Sequence, residues 1–175
     1  MGVYRGSFSS GPAGGQGIVI PPVSAVPVAV ATWPVANTVI MNRFVVQAPT
    51  SIRYINFRIG VSSGNVQVGV VSLAGNGHFW EQTATLVASS GVIACPATNA
   101  DYHRDLGAVV GLAPGDYALF FWADNTTMSA PNGVMAGFAA ARASFAVGSL
   151  ASGVTGTHTV NATTRWVAGL TAELV

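Results

Sequence analysis

From residue 37 onward, short apolar runs alternate with clusters of Gly, Pro, Asn and Ser. In "SIRYINFRIGV" (51–61), Ile55, Phe57, Ile59 and Val61 fall on one face and Asn56, Arg58 and Gly60 on the other. That period of two marks a half-buried strand. Ser63-Gly64-Asn65 then turns the chain into "VQVGVVSL" (66–73), with Val66, Val68 and Val70 in step, and the two runs read as a β-hairpin. "TVIMNRFVV" (38–46), "HFWEQTATLV" (78–87) and shorter runs near 91–94 and 106–112 supply further strands. Pro114-Gly115 turns into "DYALFFWAD" (116–124), apolar on both faces, as a central strand covered from each side must be. Adjacent residues on a strand point oppositely, so Phe121 and Trp122 serve different faces. "VMAGFAAARASFAV" (134–147) fits a helix by its alanines and a strand by its Gly, Phe and Val residues, and both readings stand. "TTRWVAGLTAELV" (163–175) brings the last strand, expected to pair inside a sheet. Eight or nine short strands with such turns predict an all-β fold over 37–175, an antiparallel β-sandwich of jelly-roll type.

The first 36 residues follow another pattern. Residues 1–17 are rich in Gly and Ser, and 18–36, "IVIPPVSAVPVAVATWPVA", carry no charge. Pro21, Pro22, Pro27 and Pro34 exclude a membrane-spanning helix, because each removes a backbone donor and clashes with the preceding turn. A signal peptide fits poorly, with only Arg5 ahead of the stretch and prolines inside its apolar part. An extended N-terminal arm, residues 1–36, is the expectation. So apolar an arm needs a surface to lie on, its own body or a neighbouring subunit, with strand addition limited by proline. The residues expected to make contact are Ile18, Val19, Ile20, Val28, Val30 and Trp33, with Trp166 added from the C-terminal run.

Composition sharpens the expectation of association. Charged residues make up 7% of the 175 and hydrophobic ones 50%, against about 25% charged in an ordinary soluble domain. Lysine is absent, as a GC-rich genome tends to write it, and the net charge is +1. The arginines are scattered, so no cluster exists to neutralise a row of phosphates, which argues against nucleic-acid binding. A weakly charged apolar surface associates, and much of this one is expected to meet protein. Cys95 is the single cysteine, which leaves no disulfide framework and reads as a small, at least half-buried hydrophobe.

Candidate chemistry is thin. Asp124-Asn125 ends the central strand, and its nearest acid along the chain, Asp116, lies eight residues back, about 26 Å away at ~3.3 Å per residue. The pair reads as turn formers bonding the next backbone amides. "DYHRD" (101–105) is the densest polar cluster, yet it meets no zinc or calcium spacing rule and reads as a solvated loop with local ion pairs. His78 and His158 stand singly. The aromatic residues Phe79, Trp80, Tyr117, Phe120, Phe121 and Trp122 suit core or interface packing better than one sugar-stacking platform. No cofactor, catalytic residue or metal site is assigned, and a glycosidase's paired carboxylates find no counterpart.

"TWPVAN" (32–37), "YINFRIGVSSG" (54–64), "GNVQVGV" (64–70) and "LAPGDYALFFWADNTTM" (112–128) together resemble β-sandwich virion proteins of tailed bacteriophages infecting actinobacteria. In that family they are small capsid or tail components and modules of minor tail proteins. The resemblance covers about residues 32–128 and rests on turn and strand signatures. It implies a non-enzymatic structural protein located in the virion. A separate chain with its own arm favours a capsid decoration protein, as a homotrimer on the major capsid protein. Two alternatives stay open. One is a phage tail or receptor-binding component, with glycan bound by loops around 99–105 and 125–133. The other is a carbohydrate-binding β-sandwich module of a secreted protein.

Overall fold

A computed structural model describes residues 17–18, 29–33, 36–74, 83–134, 165–167 and 170–175. They form strands β1 (Gly17–Ile18), β2 (Ala29–Thr32), β3 (Thr38–Val46), β4 (Thr50–Ile59), β5 (Asn65–Ala74) and β6 (Thr83–Ser89). These are followed by β7 (Ile93–Ala94), β8 (Ala100–Leu112), β9 (Gly115–Ala123), β10 (Ser129–Val134), β11 (Arg165–Val167) and β12 (Thr171–Leu174). The fold is all-β, with no helix among the described residues. Its antiparallel sheets run β1-β12-β4-β8, β11-β10-β2 and β3-β9-β5-β6, with β7 beside β5.

The apolar pattern places the strands. Ile52, Ile55, Phe57 and Ile59 of β4 and Val66, Val68 and Val70 of β5 are buried in one cluster, with Ile40 and Phe44 of β3 and Leu119 and Phe121 of β9. Trp33 packs on Phe121 at 5.1 Å, Phe121 meets Phe57 edge-on at 5.5 Å, and Phe57 stacks on Tyr102 at 5.5 Å. This aromatic row reaches from β9 through β4 to β8. The other face of the five-stranded sheet is apolar too. Val39, Met41, Val71, Leu73, Ala84, Ala118, Phe120 and Trp122 form a second buried cluster. Phe121 and Trp122 therefore divide between two cores, and β9 runs between β3 and β5 as its two-faced pattern predicts.

Four expectations are corrected. First, β4 and β5 are not a hairpin: they lie in different sheets, and β5 pairs instead with β9, β6 and β7. Both strands give their apolar faces to the same cluster, so the turn between them carries the chain from one sheet to the other. Gly64 makes that turn at φ 63°, a left-handed conformation that costs glycine little. Second, Val61 leaves the apolar face. β4 stops at Ile59, and Val61 is 45% exposed. Third, residues 129–133 are not a loop but most of β10, which pairs with β2 from Ser129↔Thr32 to Asn132↔Ala29. Fourth, "DYHRD" is not a loop: it lies in β8, paired with β4 from Ala100↔Ile59 to Asp105↔Tyr54.

The run near 106–112 joins that same strand only after an interruption. Pairing resumes at Val110↔Ile52, so residues 106–109 bulge opposite Arg53. Arg104 faces inward with Tyr102 and Leu106, since its register partner is the buried Ile55. At the chain's other end, β12 is paired on both sides, by β1 and β4. Residues 29–33, given to the arm by composition, belong to the body: β2 pairs with β10, and the Trp33 amide donates to Met128 at 2.8 Å. The ambiguous stretch 134–147 lies outside the described residues beyond Val134.

Candidate functional site

The outward positions of β4, β8 and β12 hold most of the described charge. A register shift between Ile52 and Tyr54 lets Arg53 and Tyr54 both leave the core while Ile52 and Ile55 stay in it. From there Asn56 and Arg58 alternate outward, and on β8 so do Asp101, His103 and Asp105. Register brings them together as Tyr54↔Asp105, Asn56↔His103 and Arg58↔Asp101, with Glu173 of β12 beside Tyr54 on the other side.

Each acid on this face has a partner. Arg58 Nη1 reaches Asp101 Oδ2 at 2.7 Å. Arg53 donates from Nε and Nη2 to Asp105 Oδ2 at 3.1 and 2.9 Å. The Gly107 amide donates to Asp105 Oδ1 at 2.8 Å. The Arg53 hydrogen bond, then the Gly107 amide, hold the Asp105 carboxyl below the usual carboxylate range, and Asp105 in turn raises Arg53. His103 Nδ1 lies 2.8 Å from Asn56 Oδ1, a hydrogen bond for which Nδ1 carries the proton, and 3.6 Å from Glu173 Oε2. The Tyr54 ring stacks on His103 at 4.2 Å, and the Arg53 guanidinium lies 5.3 Å from its centre.

At the end of this face a groove of about 400 Å³ is lined by the outward Asn56, Arg58, Asp101 and His103, together with Phe57, Tyr102 and Pro131. Its cause is a proline. Ser129 exchanges both backbone bonds with β4's end, donating to Val61 at 3.1 Å and accepting from Gly60 at 2.8 Å. Two residues on, the backbone of Pro131 faces the same way, as alternate residues of a strand do, but it has no N–H to give. The ladder stops there, and the same edge of β10 pairs with β11 from Asn132 onward.

Asp124 and Asn125 are a brace. Asp124 Oδ1 accepts from the Asn65 amide at 2.9 Å and Oδ2 from Asn65 Nδ2 at 2.7 Å. Asn125 Nδ2 donates to Asp124 Oδ1 at 2.6 Å and to Ser63 O at 2.9 Å. Asn125 Oδ1 accepts from the amides of Thr127 at 3.0 Å and Met128 at 2.9 Å. Burial pushes the Asp124 carboxyl up, but the hydrogen bonds from Asn65 and Asn125 outweigh it and leave the pKa lowered. The turn-former reading holds for Asn125, while Asp124 ties the end of β9 to the start of β5. Asp116 pairs instead with Arg43 at 2.8 Å.

The residues expected at an interface are spread apart. Val30 on β2 is 54% exposed, whereas Trp33 is buried in the core of its own chain, which removes it from any outer contact surface. Ile18 pairs with Ala172, and Trp166 pairs with Gly133. Val19, Ile20 and Val28 lie outside the described residues. Sequence reasoning missed the polar face, although its signal was there: 101–106 alternates outward polar and inward bulky residues at the same period as 55–59. No known family, no characterised protein and no solved structure matches the chain.

A general acid needs a raised pKa, and Asp105 is held the other way. Asp101 and Asp105 stand four residues apart on one strand, about 13 Å. Among the described residues no three metal-ligating side chains come together.

Proposed function

We propose that the chain is a β-sandwich of jelly-roll type and a non-enzymatic structural protein of a virion, a capsid decoration protein that attaches as an oligomer. The observation that carries the non-enzymatic part is the pairing of the acids. Asp101, Asp105, Asp116 and Asp124 each hold a residue of another strand, so their charge is committed to fastening strands together. The sequence resemblance and the arm supply the virion part. Attachment would bury apolar surface, at ~25 cal/mol per Å², over interfaces of more than about 1,000 Å². Val30, exposed on β2 of the body, is the residue of the proposed contact set that stands open to a neighbour. A closed trimer satisfies the same surface in every copy.

The test mixes purified chain with capsids of an actinobacterial phage lacking it, and follows co-sedimentation together with the mass of the free chain by light scattering. An oligomer that saturates the capsid supports the reading. A monomer that stays in the supernatant overturns it. The groove favours a second reading, a tail or carbohydrate-binding component, for which isolated tails would take the place of capsids in the pellet.

A further inference from the structure

We propose that β1 pairs with β12 of a neighbouring copy of this chain, so that copies are joined by exchange of their N-terminal strands. This rests on the oligomer part of the proposed function, not on the capsid, and it names the surface where copies meet. The acceptor is the outer rim of β12. Its inner rim is taken by β4, from Thr171↔Asn56 to Leu174↔Ile52, which fixes the strand to the body. Its outer rim takes β1 through Gly17↔Glu173 and Ile18↔Ala172.

The two rims of this sheet differ. β8 carries Asp101, His103 and Asp105 outward, Arg104 inward and the bulge at 106–109, features that turn an incoming strand away. β12, "TAEL", has one charged residue and no proline, and its charge, Glu173, points outward beside Tyr54. Residues 17–32 hold no charge at all, so this donor crosses a protein surface with no ion to desolvate. One rim is guarded against strands and the other accepts a particular one, which directs contact between copies to the β12 side.

The connection selects a neighbour over the chain's own body. β1 and β2 belong to different sheets, and the ten residues between them, 19–28, read "VIPPVSAVPV". Pro21, Pro22 and Pro27 lock φ at three of the ten, and each keeps the residue before it out of the helical region. A proline-rich spacer runs about 3.1 Å per residue, about 30 Å over ten, against about 17 Å for a flexible chain. That stiffness opposes bringing β1 back onto its own body, and a strand of two residues offsets little of the cost. Carried outward, the spacer stays extended and the same bonds form on the next copy. Each copy then gives a strand on one side and receives one on the other, a head-to-tail contact that a ring of copies closes.

Cross-linking of the full chain in a Cys95→Ser background tests this. Gly17→Cys and Glu173→Cys are placed on separate chains, one of them ¹⁵N-labelled, and the two are refolded together and oxidised. Opposed residues of an antiparallel pair stand ~4.5–5.5 Å apart at Cα, within disulfide reach. Exchange should give a disulfide joining position 17 of one chain to position 173 of the other, identified by the masses of the linked peptides. If Glu173→Cys does not fold, Ile18→Cys with Ala172→Cys takes its place. With both cysteines on one chain, the link should run between chains, and should move to within one chain when Pro21, Pro22 and Pro27 are replaced by Gly. The proposal is overturned if the mixture lacks the disulfide, if the doubly substituted chain closes mainly on itself, or if the glycine spacer leaves the link between chains. Light scattering on the parent separates the readings. A monomer ends the oligomer reading as well, whereas an oligomer without the disulfide ends the exchange alone.

Discussion

At Asp124, burial works against ionisation and the hydrogen bonds from Asn65 and Asn125 work for it, and the hydrogen bonds win. The consequence for stability has a definite sign. A carboxyl whose folded pKa is depressed contributes stability above its unfolded pKa, about 3.9, and loses that contribution as pH falls through the folded value. Asp124→Asn keeps an oxygen for the Asn65 amide but loses the charge, so it should cost about 1 kcal/mol at neutral pH. Urea denaturation at a series of pH values should show parent and variant converging in acid, as the parent's carboxyl takes up its proton. A constant gap down to the lowest pH would refute the assignment. Sequence alone shows an acid beside an amide at a strand end. Only the approach of Asn65, fifty-nine residues away, tells a brace from an ordinary turn.

At the scale of elements, the five-stranded sheet is set by how closely its strands and their side chains approach. Gly69 of β5 pairs with Phe120 of β9, and a Cβ built there would collide with the Ala88 carbonyl and the Phe120 ring. Neither neighbour yields easily, one being backbone and the other fully buried. Gly69→Ala should therefore cost about 2–3 kcal/mol, read as a lower denaturation midpoint with an unchanged m-value. A neutral result would mean that the second core is loosely packed. Strand existence was legible in the sequence because alternation reports burial directly: β3 and β9 fall where Val39 to Val46 and Tyr117 to Ala123 place them. Pairing was not, because a turn sequence such as Ser63-Gly64-Asn65 says that the chain reverses and not which sheet it enters. The polar face was half-legible. Its residues alternate along β4 and β8, but the contacts Arg58–Asp101 and Arg53–Asp105 span 43 and 52 residues, beyond any local pattern.

Over the whole molecule, two cores share one sheet, and they take up aromatic and branched residues that composition alone assigns to the surface. The large hydrophobic side chains left exposed among the described residues are valines, Val30, Val45, Val61, Val87, Val92, Val109 and Val175. If the virion proposal holds, attachment should therefore depend on the N-terminal segment. Because β2 and Trp33 belong to the body, where the segment is cut decides the outcome. Removing residues 1–28 should leave a cooperatively folding chain that no longer sediments with capsids. Removing 1–36 should also lower stability by about 3–5 kcal/mol, the cost of losing a buried Trp. Full attachment by the shorter deletion would disprove a role for the arm. The rim strand β8, finally, sets a limit on how copies can meet. Another β8 laid against it about His103 would face Asp101 with Asp105, like against like. The inward Arg104 and the swelling at 106–109 are further devices by which proteins keep a sheet rim from recruiting strangers. Growth into ribbons by edge-to-edge pairing is disfavoured on that side, so any contact between copies has to use another surface.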